Sequence, residues 1–155
     1  MKVIISHDVD HITVWEHWKD LIIPKFVIRS LIEWVLGSVS SSEIEKRIRS
    51  LATNQWNHIE DLMAFDHCHG IPSTFFVGVN NGCYLAYKKH VAMAWIKRIE
   101  AQGFDVGVHG IAYNNVSAMM QEHQIFQKIS GINAFGIWMH YLRTNADTIR
   151  FLSDV

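Results

Sequence analysis

The stretch KVIISHDVDH, residues 2–11, decides how this chain is read. A β-branched run, Val3, Ile4 and Ile5, stops abruptly at two carboxylates, Asp8 and Asp10, flanked by His7 and His11. Such a run reads as a buried strand. Ligand crevices in α/β sheets lie beyond the carboxyl ends of the strands, so acids placed there face a candidate site. Carboxylates beside imidazoles mix oxygen with nitrogen donors, which suits Zn, Fe, Mn or Co better than Ca. The competing reading is an Asp-x-Asp that caps the next segment and meets only water.

Working outward, Val14 to Leu36 has a helical pattern, interrupted near Ile23 because Pro24 disfavours helix at its predecessor, and Gly37 ends it. Ser42 with Glu45 resembles a capping box. It opens one long amphipathic helix through Ile44, Ile48, Leu51, Ile59, Leu62 and Met63 to Phe65, with Gly70 as its C-cap. STFFVGV, residues 73–79, is a second strand, bounded by Asn80, Asn81 and Gly82. A helix from Lys88 to Ala101 closes at Gly103, and Phe104 to His109 forms a third strand. Ser117 to Ile129 is a helix closed by Gly131, Ala134 to Trp138 a fourth strand, and Asn145 to Leu152 a final helix. This alternation predicts the α/β class, with parallel strands joined by right-handed crossovers in an open sheet or a (β/α) barrel. Four units are too few to close a barrel of eight.

A chain of 155 residues, 49% hydrophobic, is expected to form one domain with a real core. The net charge of -1 and the scattered basic residues argue against nucleic acid or an anionic membrane as partners. The segment from Trp15 to Val39 is the most hydrophobic. Glu16, Lys19, Asp20, Lys25, Arg29 and Glu33 interrupt it too often for a membrane-spanning helix, so it reads as buried or interfacial. The first apolar run is short and ends in acids, unlike a signal peptide, and the expected location is cytoplasmic.

Cys68 and Cys83 read as unbridged, buried thiols. Trp15, Trp18 and Trp34 fall near helical spacing and are expected in the core. His67, Cys68 and His69 suit a helix C-terminus better than a shared ion, and His58 and His123 are expected to be solvated. Gly107 and Gly110 bracket His109 and permit a tight strand end.

Three strands end in candidate ligands: Asp8 and Asp10 after the first, His109 after the third, and His140 with Tyr141 after the fourth. In parallel α/β folds those ends converge on one face.

Four segments in order, ISHDVDH, STFFVGVN, FDVGVHGIAYN and FGIWMHYLR, resemble the motifs of polysaccharide deacetylases, also called the NodB-homology domain or carbohydrate esterase family four. The resemblance covers nearly all of residues 1–155. It implies the N-terminal portion of one deformed (β/α) barrel domain, incomplete at about four β/α units. It also implies a divalent metal, zinc first with Co, Fe or Mn as alternatives, held by one Asp and two His. Carried over, Asp8 is the base, while Asp10 and His109 are ligands. The family's second His falls at Tyr113 and its Arg-bearing position at Trp138, with Arg143 further on. His140 then supplies the remaining imidazole, and His11, Tyr113, Tyr141 and Arg143 line the site.

The implied activity is metal-dependent hydrolysis that removes acetyl groups from a carbohydrate, the substrate and partner. An alternative is a truncated or impaired family member that binds a glycan or protein without turning it over. A weaker one is a non-carbohydrate C–N hydrolase on the same scaffold. An unclosed barrel would also expose strand backbone, which invites self-association.

Overall fold

The computed structural model describes residues 3–18, 20–54 and 56–154. In chain order the elements are β1 (Ile5–Val9), a 3-10 turn at Val14–Trp18, α1 (Ile22–Val35), α2 (Ser41–Ala52), α3 (Ile59–His69), β2 (Ser73–Val77), α4 (Lys89–Ala101), β3 (Asp105–Gly110), α5 (Val116–Ser130), β4 (Ile137–Met139), a second 3-10 turn at His140–Leu142, and α6 (Ala146–Asp154). The chain divides into two compact units, Met1–Asp10 with Ile59–Val155, and His11–His58.

The first unit is α/β, as the alternation predicts. All four strands are parallel and lie in the order β1-β2-β3-β4, in a sheet curled like half a barrel. Sequential order has a physical consequence: right-handed crossovers between successive neighbours place their helices on one side of the sheet, freeing the other. The face carrying Val9, Phe75, Val77, Val106 and Val108 is buried, and α4 packs on β2 and β3 while α5 packs on β3. The opposite face carries Asp8, Phe76 and Gly107 in register.

Gly107 is a packing requirement. A Cβ there would lie 2.5 Å from the Phe76 ring and 2.5 Å from the Gly136 carbonyl oxygen. Its absence lets Phe76 cross the sheet and stack on Trp138, with ring centroids 5.9 Å apart. Below the strands, Asp66 of α3 is buried and accepts hydrogen bonds from His7 Nε2 (2.7 Å) and the Ser73 hydroxyl (2.6 Å).

The second unit contains the first 3-10 turn, α1 and α2. His17 is buried and donates from Nδ1 to Asp20 Oδ2 (2.6 Å). Its Nε2 is therefore the acceptor of the His11 Nδ1 proton at 2.7 Å. Glu33 of α1 pairs with Arg47 of α2 at 2.6 Å and with Arg29 at 2.7 Å.

Several local expectations change. Val3 and Ile4 are exposed, because pairing with β2 begins only at Ile5. The first helical segment breaks before Ile22, leaving Pro24 in the first turn of α1, where a missing N–H costs nothing. The expected long helix is two helices, α2 and α3, separated by residues 53–58 with Asn54 left-handed at φ 58°. Its N-cap is Ser40, whose side chain accepts from the Glu43 amide, so the capping pair lies two residues before Ser42 and Glu45. The fourth strand shrinks to Ile137–Met139, because Phe135 packs on Phe126 and His123 instead of extending it.

Trp15 and Trp34 are exposed, the latter donating its indole N–H to Ser41; the side chain of Trp18 lies outside the described residues. Ile28, Leu31, Ile32 and Val35 of α1 are also exposed, because apolar residues circle that helix and one neighbouring helix covers only part of it. Cys68 and Cys83 are unbridged as expected but exposed, at the end of α3 and on a turn tip respectively. His123 is half-buried among Phe135 and Phe151. The helix-end reading of His69 holds, its Nδ1 bonding the Phe65 carbonyl. Among the described residues no helix is long and apolar enough to cross a membrane.

Candidate metal centre

Asp10 follows β1, His109 is on β3 and His140 follows β4. One side-chain donor atom from each falls within a 4.8 Å cluster, the one group of this kind among the described residues. His109 Nε2 lies 2.7 Å from His140 Nδ1, and Asp10 Oδ1 lies 3.2 Å from each nitrogen. Both imidazoles are buried, at 2% and 4% exposure.

The donor set fits a divalent ion. Donors of a tetrahedral site with bonds of 2.0–2.2 Å stand about 3.3 Å apart. The two Asp10 contacts already match, and the His–His contact needs to open by roughly 0.6 Å from its hydrogen-bonded length.

Hydrogen bonding orients the ring of His140. Its Nε2 lies 2.9 Å from the Cys83 carbonyl oxygen, which can only accept, so Nε2 carries a proton and Nδ1 is the nitrogen that faces the cluster, where it can offer a lone pair to an ion. His109 Nε2 and His140 Nδ1 share one hydrogen bond at 2.7 Å. The other nitrogen of His109, Nδ1, is buried and has no hydrogen-bond partner among the described residues.

Local structure explains how these groups are held. Gly82 and Leu85 exchange both backbone hydrogen bonds around Cys83 and Tyr84, whose φ angles of 50° and 73° make a tight left-handed turn. Tyr141 and Leu142, directly after His140, are left-handed too, at φ 57° and 54°. Strained backbone of this kind gathers where a side chain must be aimed. The Tyr87 hydroxyl accepts from the Gly78 amide (2.6 Å) and donates to the Val9 carbonyl (2.8 Å), bridging the ends of β2 and β1 immediately before Asp10.

The residues expected around the cluster are distributed unevenly. Asp8 is exposed, and strand alternation puts it on the same face of β1 as Asp10. Arg143 lies over the rings of Tyr113 (5.0 Å) and Tyr141 (5.7 Å), donates to the His140 carbonyl (3.2 Å), and reaches Cys83 Sγ (3.1 Å). Tyr113, Tyr141 and Arg143 thus form one stack beside His140. His11 belongs to the second unit, where it bonds His17.

Glu122 of α5 was not legible as a site residue. It is buried at 3% exposure, and its Oε2 accepts from the amides of Ile111 and Ala112, both at 3.2 Å, holding the turn that follows His109. Burial pushes its carboxyl above the usual value, against the opposing pull of those amides, Asn80 and His109. Its signal was a carboxylate on the buried face of α5, spaced with Met119 and Phe126.

Comparison of the chain with protein-family models, with curated proteins and with solved structures finds no match.

Proposed function

We propose that this chain is a metal-dependent hydrolase of the polysaccharide deacetylase type, cleaving an acetyl group from a carbohydrate. The observation that carries the reading is the convergence of Asp10, His109 and His140 from three strand ends onto donors 2.7–3.2 Å apart. The motif resemblance supplies the substrate class.

A divalent ion on these three residues would polarise the acetyl carbonyl and make water a nucleophile near neutral pH. Asp8 would accept the proton of the attacking water, and its exposure leaves it open to the substrate side. The Arg143 stack with Tyr113 and Tyr141 would wall the site and orient the sugar. Trp138, 39% exposed and two residues before His140, offers an aromatic face on which a sugar ring can rest.

A second reading, a module that binds a glycan without turnover, is favoured by Tyr113. It stands where the resembled family has its second His, and its ring is engaged by Arg143.

Elemental analysis of the purified protein, with His109→Ala and His140→Ala beside it, tests the metal reading: about one ion per chain is expected in the parent and none in the variants. Acetate release from an N-acetylated oligosaccharide, lost in Asp8→Asn, tests the activity. Metal without acetate release would move the conclusion to the binding module, and no metal in the parent would remove the hydrolase reading.

A further inference from the structure

α1 is apolar on two sides, and its own unit covers one of them. Ser30 is buried, Phe26 packs edge-on against Trp56 with ring centroids 5.2 Å apart, and Glu33 bonds Arg47 of α2, so the side bearing these three residues is turned inward. At 3.6 residues per turn the opposite side carries Pro24, Ile28, Leu31, Ile32 and Val35 in a stripe about 100° wide. The last four are 57%, 44%, 53% and 77% exposed. Leu21 and Leu36 extend the stripe at its two ends, at 60% and 73%. Together they make a contiguous apolar surface of roughly several hundred Å², the size that marks an interaction site on a protein surface.

We propose that this stripe is the interface of a homodimer, in which α1 of one copy packs antiparallel on α1 of a second. The spacing of the seam carries the argument. Positions 24, 28, 31 and 35 are separated by four, three and four residues, so reversing the direction of the helix maps the set onto itself. A two-fold pair requires such a self-complementary patch, and here it sets Ile28 of each copy opposite Leu31 of the other, and Pro24 opposite Val35. The same spacing is that of a coiled-coil seam, which packs two helices side by side. Charge agrees with the assignment. No charged side chain stands in the stripe, and Arg29 at its edge is already neutralised by Glu33 at 2.7 Å, which removes the repulsion between two copies near the axis. The antiparallel sense brings Lys25 of one copy level with Glu33 of the other, whereas a parallel pair would set Lys25 beside Lys25. An anionic lipid surface is a poorer match, because helices that bind one are rich in Lys and Arg, and α1 has only Lys25 besides the paired Arg29.

Sedimentation equilibrium of the full chain over a range of concentrations reads the association. The apolar area is smaller than that of a standard stable interface, so a reversible dimer with Kd on the order of micromolar is expected. Ile28→Lys and Leu31→Glu each put an unpaired charge at the centre of the seam, and each is expected to raise Kd at least roughly 100-fold. Mixed in equal amounts, the two variants are expected to dimerise again, because the new lysine of one copy then meets the new glutamate of the other. Both positions are exposed, so thermal unfolding of the dilute variants should match that of the parent. Val35→Glu, at the most exposed position of the stripe, replaces either variant that unfolds early, with the same dissociation expected. A parent that stays monomeric throughout the range overturns the proposal. So does a dimer that persists in both variants, which would put the association on another surface such as a strand edge, and so do mixed variants that remain monomeric, which would deny the pairing of Ile28 with Leu31. A monomeric parent that cosediments with vesicles of mixed phosphatidylcholine and phosphatidylserine, and loses that binding in Ile28→Lys, would hand the stripe to a lipid surface instead.

Discussion

The carbonyl oxygen of Cys83 lies 2.9 Å from His140 Nε2, so a turn before α4 sets the proton position of a residue 57 places later in the chain. That turn is left-handed at two non-glycine residues, Cys83 and Tyr84, at a cost of about 1–2 kcal/mol each. Replacing the pair with Asn-Gly suits the same backbone. The double variant is expected to gain about 1 kcal/mol, or roughly 2–4 °C in Tm, while binding metal like the parent. Cys83→Pro cannot adopt the positive φ and is expected to lose metal affinity. Scanning calorimetry and metal titration check the two.

Gly107→Ala forces a methyl against the Gly136 carbonyl and the Phe76 ring, both at 2.5 Å. Backbone cannot yield there as a flexible side chain would, so a loss of about 2–3 kcal/mol is expected in urea unfolding. Gly110→Ala meets only the flexible Met139 side chain, at 3.1 Å, and should cost less. Equal costs would mean that β4 moves freely against β3.

Burial raises the Asp66 carboxyl, but the Ser73 hydroxyl and His7 outweigh it and hold the group below its ordinary value of 3.8. A carboxyl whose pKa is lower in the folded state adds stability that is complete above the unfolded value. That stability is lost as pH falls through the folded value. Ser73→Ala removes one donor, so the acid limb of the stability curve should move to higher pH, and Asp66→Asn should flatten it. Urea midpoints measured from pH 6 down to pH 2 read both effects.

Ser40→Ala removes the side-chain acceptor for the Glu43 amide and should cost about 1 kcal/mol. Ser42→Ala, inside α2, should cost little. Thermal unfolding followed by circular dichroism ranks them, and the reverse order would place the helix start two residues later.

An ion that binds only the folded chain stabilises it by mass action, by about 2.7 kcal/mol at a hundredfold excess over Kd. Zinc should therefore raise the Tm of the parent, a chelator should reverse the rise, and Asp10→Asn, His109→Ala and His140→Ala should show little response. A shift that survives in all three variants would locate the ion elsewhere.

The sheet and the donor set were legible because β-branched runs alternate with helical periods, and because strand ends in parallel sheets share a side. The break at residues 53–58 was hidden: Ile59, Leu62 and Met63 continue the apolar period of α2, and only Asn54, left-handed in the structure, marks the stop. The aromatic residues misled in both directions. Phe135 has strand-like neighbours yet packs on Phe126, and Trp15 has helical spacing yet faces out. Glu122 and Tyr87 could be recognised only once the fold had brought them to β3 and β1, since nothing beside them in sequence marks them as polar supports.

The contact between Asp10 and His140 also measures the sheet. Neighbouring strands run about 4.8 Å apart, so in a flat sheet β1 and β4, three spacings from each other, would stand about 14 Å apart. Their side chains nevertheless meet at 3.2 Å. The bend across β2 and β3 is therefore a working dimension of the cluster. Any event that flattens the sheet, such as edge-to-edge stacking of chains in an aggregate, would pull the donors apart without altering one of them. If the proposed ion is bound there, its release would then be an early chemical sign of a lost shape, detectable before the strands themselves unpair.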